Sequence, residues 1–274
     1  MLLRFQPVSR HLVILAPTNK RISRLRNIRP EPELYSRLLA GMQRLRGTAY
    51  LKDGAIQASD LSHDGRHQQP VDRKSWHILA LSRAGNVTGA VRCRMHARPY
   101  SFRNLGVVHS ALAQSDIWGP KFRTAVEREL AIAQSSSLAY FEVGGWAIAE
   151  QMRCTSEAIR IALSTYGLGQ MFGGALGIST ATTRHQSSNI LRKLGGRSLT
   201  VGPVTLPDYF DPVYNCHMEI LRFDASEPNP RYTSYIEDLR SELMAAPVIC
   251  EEVVQKNWSL LPQTVAAPAL APAC

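Results

Sequence analysis

Hydrophobic and polar residues alternate along this chain with two different periods, and the periods separate predicted helices from predicted strands. Where apolar residues recur every three or four positions, a helix with one buried face is predicted. This pattern covers five segments: Glu33–Arg46, Pro120–Ser135, Thr155–Phe172, Ser187–Leu194 and Tyr232–Ala245. Short apolar runs bounded by turn residues predict strands instead, and they cover Ser75–Ser82, Val87–Met95, Leu138–Ile148, Gly174–Thr183, Leu199–Leu206 and Tyr214–Phe223.

The order of these elements predicts the fold class. A helix and a hairpin come first, then a helix, and then strands and helices in alternation. A hairpin that precedes strand–helix–strand–helix units favours a mixed α/β (α+β) architecture, with a central sheet and helices on both faces. We predict a single domain over residues 31–250, after a basic leader at 1–30. The short apolar run Leu12–Pro17 in that leader predicts a strand or a packed arm, with a signal peptide as the alternative. The tail at 251–274 ends in a Pro/Ala-rich stretch that predicts disorder.

Composition narrows the class of protein. Of the 274 residues, 45% are apolar and 20% are charged, which is typical of a soluble globular protein. No apolar run approaches the roughly 18 residues that a membrane-spanning helix needs, so no membrane span is expected. The five cysteines are odd in number and form no CxxC pair, which favours reduced thiols in a cytoplasmic protein. Cysteine and histidine lie close together at Cys93–His96 and Cys216–His217, but without a second matched pair no metal site is expected.

Charge adds a question about partners. The formal net charge is +10, and part of the excess is concentrated in the leader, at Lys20, Arg21, Arg24, Arg26 and Arg29. A solvated arm, a docking site for an acidic protein and a nucleic-acid contact are all compatible with such a cluster. Nucleic acid is the weakest of the three, because no stacking aromatics are interleaved and no nucleic-acid-binding motif occurs.

The stretch Tyr140–Arg153 carries the most chemistry. Glu142 lies in an apolar strand, Gly144 and Gly145 follow it, and a polar turn then leads into a predicted helix that Thr155 and Ser156 can cap. Free N–H groups at a helix start bind phosphate or a developing oxyanion, and a neighbouring carboxylate could act as a general base. The combination points to acyl transfer from a pantetheine thioester.

Four short motifs then resemble a known family. The stretch Arg46-Gly-Thr-Ala-Tyr50 is similar to the pattern after the first helix of autoinducer synthases, and Asp60 and Asp64 resemble their loop acids. Gly89-Ala-Val-Arg92 is like their Gly-x-x-Arg, and Glu142 with Trp146 is like their strand glutamate and aromatic. From about Arg46 to Phe223 the chain thus resembles the GNAT-type acyltransferases. Within that fold, it looks like the branch of acyl-homoserine-lactone synthases and long-chain N-acyl amino acid synthases. The resemblance implies a splayed central sheet.

Roles for individual residues follow from the strand and from the resemblance. Burial in the strand is expected to raise the pKa of Glu142, the candidate base, although an ion pair with Arg92 or Arg94 is the alternative. Backbone N–H groups of Gly144, Gly145, Trp146 and Ala147 are the candidate oxyanion donors, unless the glycines only permit close packing. The phosphate is expected near Ala147, Ile148, Ala149, Gln151, Arg153, Cys154, Thr155 and Ser156, where ordinary N-capping is the alternative. The expected acceptor site comprises Arg46, Tyr50, Asp60, Asp64, Arg92 and His185.

Two departures from the family pattern shape the expected function. Gly145 stands where autoinducer synthases carry arginine, which argues against a homoserine-lactone product. The turn Gln151–Ser156 lacks the glycines of the usual CoA loop, which favours the single phosphate of a carrier-bound arm. We therefore expect an N-acyl amino acid synthase with no permanent cofactor. Acyl-phosphopantetheine, as acyl carrier protein or acyl-CoA, is the co-substrate, and the basic leader is a docking site for an acidic carrier. A small-molecule N-acetyltransferase using acetyl-CoA and a non-catalytic binding protein are the alternatives.

Overall fold

A computed structural model describes residues 11–18 and 25–252 of the chain. The five α-helices of the described part are α1 (Pro32–Lys52), α2 (Gly119–Ser135), α3 (Glu157–Met171), α4 (Ser187–Leu194) and α5 (Thr233–Ala245). Its strands are β1 (His11–Leu15), β2 (Ile28–Pro30), β3 (Trp76–Leu81), β4 (Val87–Met95), β5 (Ala139–Ile148), β6 (Ala175–Thr182), β7 (Arg197–Ser198), β8 (Thr200–Val201), β9 (Val204–Thr205), β10 (Tyr209–Asp211), β11 (Cys216–Asp224) and β12 (Val248–Cys250).

One mixed sheet of ten strands organises the molecule. Its order is β10-β11-β6-β5-β4-β3-β1-β12-β2, and β7 pairs with β11 beside this path. The pairs β5–β6, β1–β12 and β12–β2 are parallel, whereas the remaining pairs are antiparallel. Helices cover both faces, so the predicted fold class is confirmed.

Strand alternation sends successive side chains of β4 and β5 to opposite faces of the sheet. Val91, Cys93 and Phe141 belong to an apolar core shared with α3 and α5. On the other face, α2 packs on a second core that includes Tyr140 and Ile178. Residues 92, 94, 142 and 144 alternate with the first set, so they point to this second face.

Helix α1 is longer than predicted. It continues to Lys52, so Arg46 and Tyr50 lie within the helix and not after it. Its apolar positions pack with β1, β3 and β4 in a third core, which includes Leu38, Leu39 and Met42. This helix therefore buries its apolar face against the sheet.

The segment predicted as a leader contributes strands to the sheet. β1 lies between β3 and β12, and Ile14 and Leu15 are 0% exposed. β2 pairs with β12 at the sheet edge. Among the basic residues of this segment, Arg26 and Arg29 are exposed, whereas Lys20, Arg21 and Arg24 lie outside the described residues, as does the tail from residue 253.

The strand predicted at Leu199–Leu206 is wrong. The structure has two two-residue strands there, β8 and β9, which form a separate hairpin. Gly202 sits at the turn with φ of +56°, a conformation that glycine adopts without a steric penalty. The Gly202-Pro203 pair thus interrupts what reads as one apolar run.

Within the described ranges, no helix is long and apolar enough to cross a membrane. Nor do His, Cys, Asp and Glu of these ranges form a group of three that could hold a metal ion. The described cysteines, Cys93, Cys154, Cys216 and Cys250, are all free thiols.

Candidate active site

The sheet opens between its two central parallel strands. β5 and β6 pair from Ala139–Ala175 to Val143–Ser179, and their register ends there. Beyond this point β5 continues to pair with β4 on its other side, while β6 pairs only with β11. The edge of β5 from Gly144 onward therefore turns unpaired backbone groups towards the gap.

A β-bulge lies at the start of this gap. Ala147 pairs with Ala90 and Gly144 with Arg92, so Gly145 and Trp146 together oppose the single residue Val91. Gly145 has φ of +62°, which a residue with a side chain adopts only under strain. The glycine pair therefore has a local structural reason, because a bulge leaves one residue out of the ladder and bends the strand.

A cavity of about 480 Å³ occupies the gap and is lined from both faces of the sheet. Its wall towards α3 and α4 is mostly apolar and includes Val91, Cys93, Phe141, Ala162, Leu168, Leu191, Leu194 and Phe223. Its wall on the opposite face is mostly polar and includes Tyr50, Gln69, Arg92, Arg94, His109, Ser110, Glu142 and Tyr214. One cavity thus joins an apolar compartment to a polar one through the opening in the sheet.

Both carboxylate oxygens of Glu142 accept hydrogen bonds. Its Oε2 lies 2.8 Å from His96 Nε2 and 3.3 Å from Arg94 Nη1. Its Oε1 accepts a hydrogen bond of 3.0 Å from the backbone N–H of Val107, and the Gly106 backbone also donates to it. Burial alone raises the pKa of Glu142, but the hydrogen bonds from His96, Gly106 and Val107 outweigh it and lower the pKa.

The expected raised pKa of Glu142 is therefore wrong. The sequence shows the apolar neighbours of Glu142 along the strand, but it does not show the donors that fold over it from elsewhere in the chain. The ion pair with Arg94 exists, at 3.3 Å, and Arg92 instead pairs with Asp72.

Glu142 also connects the strand to a short 3-10 helix, Gly106–His109. This turn lies over the polar wall, and its His109 lines the cavity. The sequence gives no periodic signal over residues 97–118, so His109 is absent from the predicted site. Its place in the cavity wall depends on contacts between distant segments, such as that between Val107 and Glu142.

Two arginines and one aspartate form a second buried cluster. Arg46 is 0% exposed and donates from Nη1 to Asp72 Oδ1 at 2.9 Å and from Nη2 to Asp72 Oδ2 at 2.7 Å. Arg92 Nη1 lies 3.1 Å from the same Oδ1 and also donates to the Gln69 side chain. Gln43 Nε2 and the Gln69 backbone N–H complete the shell of Asp72, each at 3.0 Å.

The electrostatics of this cluster are set by the arginines. Burial by itself raises the pKa of Asp72, but the hydrogen bonds and charge of Arg46, with the charge of Arg92, lower it below its usual range. Burial lowers the pKa of His77 to about 4, and the nearby arginines act in the same direction. Burial and Arg46 likewise lower the pKa of His67. Both histidines are therefore neutral near pH 7.

Asp72 is the acidic residue that the sequence reasoning missed. Asp60 and Asp64 were expected in the acceptor site, but both are exposed, and the cavity wall built by the described residues does not include them. The Asp60 carboxylate accepts from the Gln57 backbone N–H. Asp64 pairs with Arg44 and Arg66 at the surface. A fully buried arginine such as Arg46 needs a carboxylate partner, but its burial is visible only in the structure.

The predicted phosphate segment leads from the bulge to α3. Its side chains make mostly local contacts: Thr155 Oγ1 donates to the Met152 carbonyl at 2.7 Å and accepts from the Glu157 N–H at 3.2 Å. Thr155 thus accepts from the first N–H of α3, while the N-cap residue Ser156 makes no side-chain capping hydrogen bond. Arg153 pairs with Asp53 at 3.0 Å.

Other residues of that segment have backbone roles. Cys154 has φ of +63°, and the Ala149 N–H bonds to the Thr88 carbonyl at 2.8 Å. Among the described residues, those that line the cavity include none of the segment itself, which comprises Ala147, Ile148, Ala149, Gln151, Arg153, Cys154, Thr155 and Ser156.

Of the remaining predicted acceptor residues, Tyr50 and Arg92 line the cavity, and Arg46 lies directly behind it. His185 falls in the 3-10 helix Arg184–Gln186, after β6, and its side chain lies outside the described part. Burial raises the pKa of Tyr50 to about 12, so its hydroxyl is neutral and available to donate or accept a hydrogen bond.

Taken together, the splayed parallel pair, the bulge and the element order define the GNAT-type acyltransferase fold. Among solved structures, the chain is similar to BjaI, described as a CoA-dependent acyl-homoserine lactone synthase with SAM and isopentyl-CoA. The TM-score is 0.50 at 15% identity, over 81% of this chain and 88% of that one. The suspected resemblance is confirmed, and at this identity it concerns the fold.

Two further solved structures are similar over comparable lengths. TofI, in a complex with an inhibitor and MTA, has a TM-score of 0.48 at 10% identity, over 78% of this chain and 91% of that one. FeeM, an N-acyl amino acid synthase from uncultured soil microbes, has a TM-score of 0.45 at 12% identity, over 80% of this chain and 91% of that one. No protein-family profile and no curated protein matches the chain.

Proposed function

We propose that this protein is an N-acyltransferase. It moves an acyl group from a phosphopantetheine thioester to the primary amine of an amino acid or related small molecule. The observation that carries the proposal is the cavity at the β5–β6 gap, because it joins an apolar wall to a polar one beside a strand edge with free backbone groups. A thioester needs both environments, one for its acyl chain and one for the attacking amine.

The donor fits the gap by adding to the sheet edge. The pantetheine arm contains amides, and amides can pair with the unpaired N–H and C=O groups of β5 beyond Val143, as an added strand does. Its thioester would then lie at the bulge, next to Gly144 and Gly145. The acyl chain would lie against the apolar residues between α3, α4 and the sheet.

The bulge would stabilise the tetrahedral intermediate. Attack of the amine on the thioester carbonyl places a negative charge on its oxygen, and backbone donors of Gly144–Ala147 stabilise that charge. One such donor contributes about 3 kcal/mol to the transition state. The thiolate can leave without a proton donor, since a thiol has a pKa near 8.5.

Glu142 has a narrower role than a free general base. Its lowered pKa makes it a weaker proton acceptor, and both of its oxygens already accept hydrogen bonds. The proton that the amine loses on attack therefore passes to water, from which Glu142 or the released thiolate takes it. The contacts of Glu142 with His96, Gly106 and Val107 fix the wall over which the amine enters. We propose this positioning role as its main contribution.

The donor phosphate is assigned to the start of α3. The helix has 15 residues. Its Glu157 N–H already bonds to Thr155 Oγ1, so the following N–H groups of the first turn would bind the anion, with Arg153, which also pairs with Asp53, beside them. A carrier-bound arm has one phosphate and CoA has more, so the turn without glycines favours a carrier protein. The basic residues before α1 would meet its acidic surface.

A thiol-release assay tests the proposal. Purified protein is given acyl carrier protein thioesters, long-chain acyl-CoA and acetyl-CoA in turn, each with pooled amino acids. We expect release that depends on the acceptor and is fastest with long-chain carrier thioesters, with N-acyl products seen by mass spectrometry. A preference for acetyl-CoA would instead assign a small-molecule acetyltransferase, and no acceptor-dependent release with any donor would refute the proposal.

A further inference from the structure

The cluster of Arg46, Asp72 and Arg92 carries more positive charge than it neutralises. Two guanidinium groups share one carboxylate, and the neighbouring pair of Arg94 and Glu142 is balanced. His67 and His77 add no charge, because burial and the arginines lower the pKa of both. The cluster therefore has a net charge of about +1, with Arg46 and Asp72 buried and Arg92 partly exposed to the cavity. Charge in such surroundings is stable only when it is paired.

Donor groups of the same arginines lack partners. The Nε atoms of Arg46 and Arg92 are buried and make no hydrogen bond in the part of the chain that the structure describes. Arg92 lines the cavity, and its Nη2 stands 3.6 Å from where a Cβ on Gly144 would lie. Buried donors without partners are rare in folded proteins, so each one calls for an explanation.

We propose that Arg92, supported by Arg46 and Asp72, binds the carboxylate of the acceptor, which is therefore an α-amino acid and not a simple amine. The inference rests on the proposed acyl transfer and names its acceptor class. A guanidinium presents its N–H groups as a planar fork that matches a carboxylate. An incoming carboxylate would neutralise the excess charge and accept from the free donors of Arg92.

The location favours this ligand over the donor phosphate. Arg92 pairs with Gly144 across the strands, immediately before the bulge where the thioester carbonyl is assigned. In an α-amino acid one carbon separates the carboxylate from the amine, so a carboxylate on Arg92 leaves the amine beside the bulge. The phosphate of pantetheine is separated from its sulfur by the whole arm and cannot reach both places.

Gly145 keeps this position open. A Cβ there would lie 3.5 Å from Arg46 Nη1 and 3.4 Å from Arg92 Cβ. A larger side chain would project between the two arginines and the cavity. The absence of a side chain at 145 thus leaves the arginine cluster accessible to a ligand carboxylate.

Paired acceptors test the inference. Each amino acid is compared with its own carboxamide, which keeps the amine and side chain but removes the charge. In the wild-type protein we expect kcat/KM to be about 100-fold higher for the acid, the size expected when hydrogen bonds to a charged group are lost. Equal rates for acid and amide would overturn the inference and leave the acyltransferase proposal intact. No thiol release with any acceptor would refute both.

The variant Arg92→Gln separates binding from structure. We expect it to lose about 100-fold with the acid, mainly through KM, and to change little with the amide. Arg92→Lys should recover part of the loss, because it restores the charge. Arg44→Gln is the matched control, since Arg44 lies on the same helix as Arg46 but pairs with Asp64 at the surface. Equal losses with acid and amide in Arg92→Gln would mean a structural role only.

A binding measurement covers the case in which Arg92→Gln does not fold. Thermal stabilisation of the wild-type protein is measured with an N-acyl amino acid and with the corresponding N-acyl amide. We expect the acid to raise the melting temperature more than the amide at equal concentration. An equal shift for the two ligands would contradict carboxylate recognition.

Discussion

At the scale of single residues, the two buried carboxylates show how partners decide the chemistry of an acid. Glu142 and Asp72 both lie in surroundings that alone would raise the pKa of a carboxyl group, yet hydrogen bonds and arginine charges lower it in both cases. Each is therefore ionised near neutral pH. Both also join distant segments, Glu142 to the turn at Gly106 and Asp72 to helix α1.

The lowered pKa of Glu142 predicts how stability depends on pH. A carboxyl whose pKa is lower in the folded state adds stability that is full above its unfolded pKa of about 4.3 and is lost as the pH falls below it. We expect Glu142→Gln to reduce the free energy of unfolding at pH 7 by about 1 to 3 kcal/mol, since it weakens buried hydrogen bonds. The difference from wild type should shrink below about pH 4.

Urea unfolding at pH 7 and at pH 3.5 measures this difference. Glu127→Gln is the control, because Glu127 forms an exposed pair with Arg123 on α2 and such pairs contribute little. A gap between wild type and Glu142→Gln that is the same at both pH values would show that the charge of Glu142 does not matter to folding.

The sequence identified part of this residue-level arrangement. Motifs in the sequence predict Glu142, Arg92 and Tyr50 as site residues, and all three line the cavity. Asp72 and His109 are not predicted, because no local pattern distinguishes them from other polar residues of their loops. Their positions result from contacts that join segments far apart in the chain.

At the scale of elements, the bulge in β5 opens the sheet. Pairing of β4 with β5 shifts register at the bulge, and pairing of β5 with β6 ends at Val143 and Ser179, next to it. Gly145 supplies the positive φ that the bulge requires. The cavity therefore depends on the backbone conformation of this one residue.

Alanine at position 145 tests that dependence. The new Cβ meets only ordinary contacts, at 3.4 Å and beyond, so the cost is backbone strain of about 1 to 3 kcal/mol. We expect Gly145→Ala to lower turnover by about 100-fold, since small displacements of a reacting group are that costly.

Gly85→Ala is the matched control for this substitution. Gly85 has φ of +78° in the hairpin between β3 and β4, and a Cβ there would meet nothing within 4 Å. It should therefore carry a similar strain without reaching the cavity. If both variants lose turnover equally, the effect comes from lost stability and not from the bulge.

Long elements were easier to predict from the sequence than short ones. The long periodic helices, such as α2 and α5, were predicted nearly to their ends, because many residues repeat the same signal. β12 and β2 were missed, since three residues cannot display a period. β1 is a buried five-residue run whose place in the sheet depends on partners at residues 77–81 and 248–249.

At the scale of the whole molecule, the N-terminal segment is part of the folding unit. β1 sits between β3 and β12, so its removal would separate β12 and β2 from the rest of the sheet. Residues 11–15 and 28–30 of the basic leader are therefore strands of the same sheet as the rest of the chain.

Two isoleucine substitutions measure this integration. Ile14 in β1 is 0% exposed, whereas Ile28 in β2 is 37% exposed. We expect Ile14→Ala to lower the free energy of unfolding by about 2 to 5 kcal/mol and Ile28→Ala by about 0.5 kcal/mol or less. Chemical denaturation followed by circular dichroism checks both. Equal small effects would indicate that β1 packs only peripherally.

The parallel pairing of β1 with β12 also determines when the sheet can be completed during synthesis. β1 can join β3 once the first eighty or so residues have left the ribosome, but its other edge has no partner until Val248–Cys250 emerges. An open strand edge can pair with the strands of other chains. The edge of β1 stays open until almost the whole domain has been translated. A nascent chain of this protein is therefore exposed to misassembly at an edge that the finished molecule conceals.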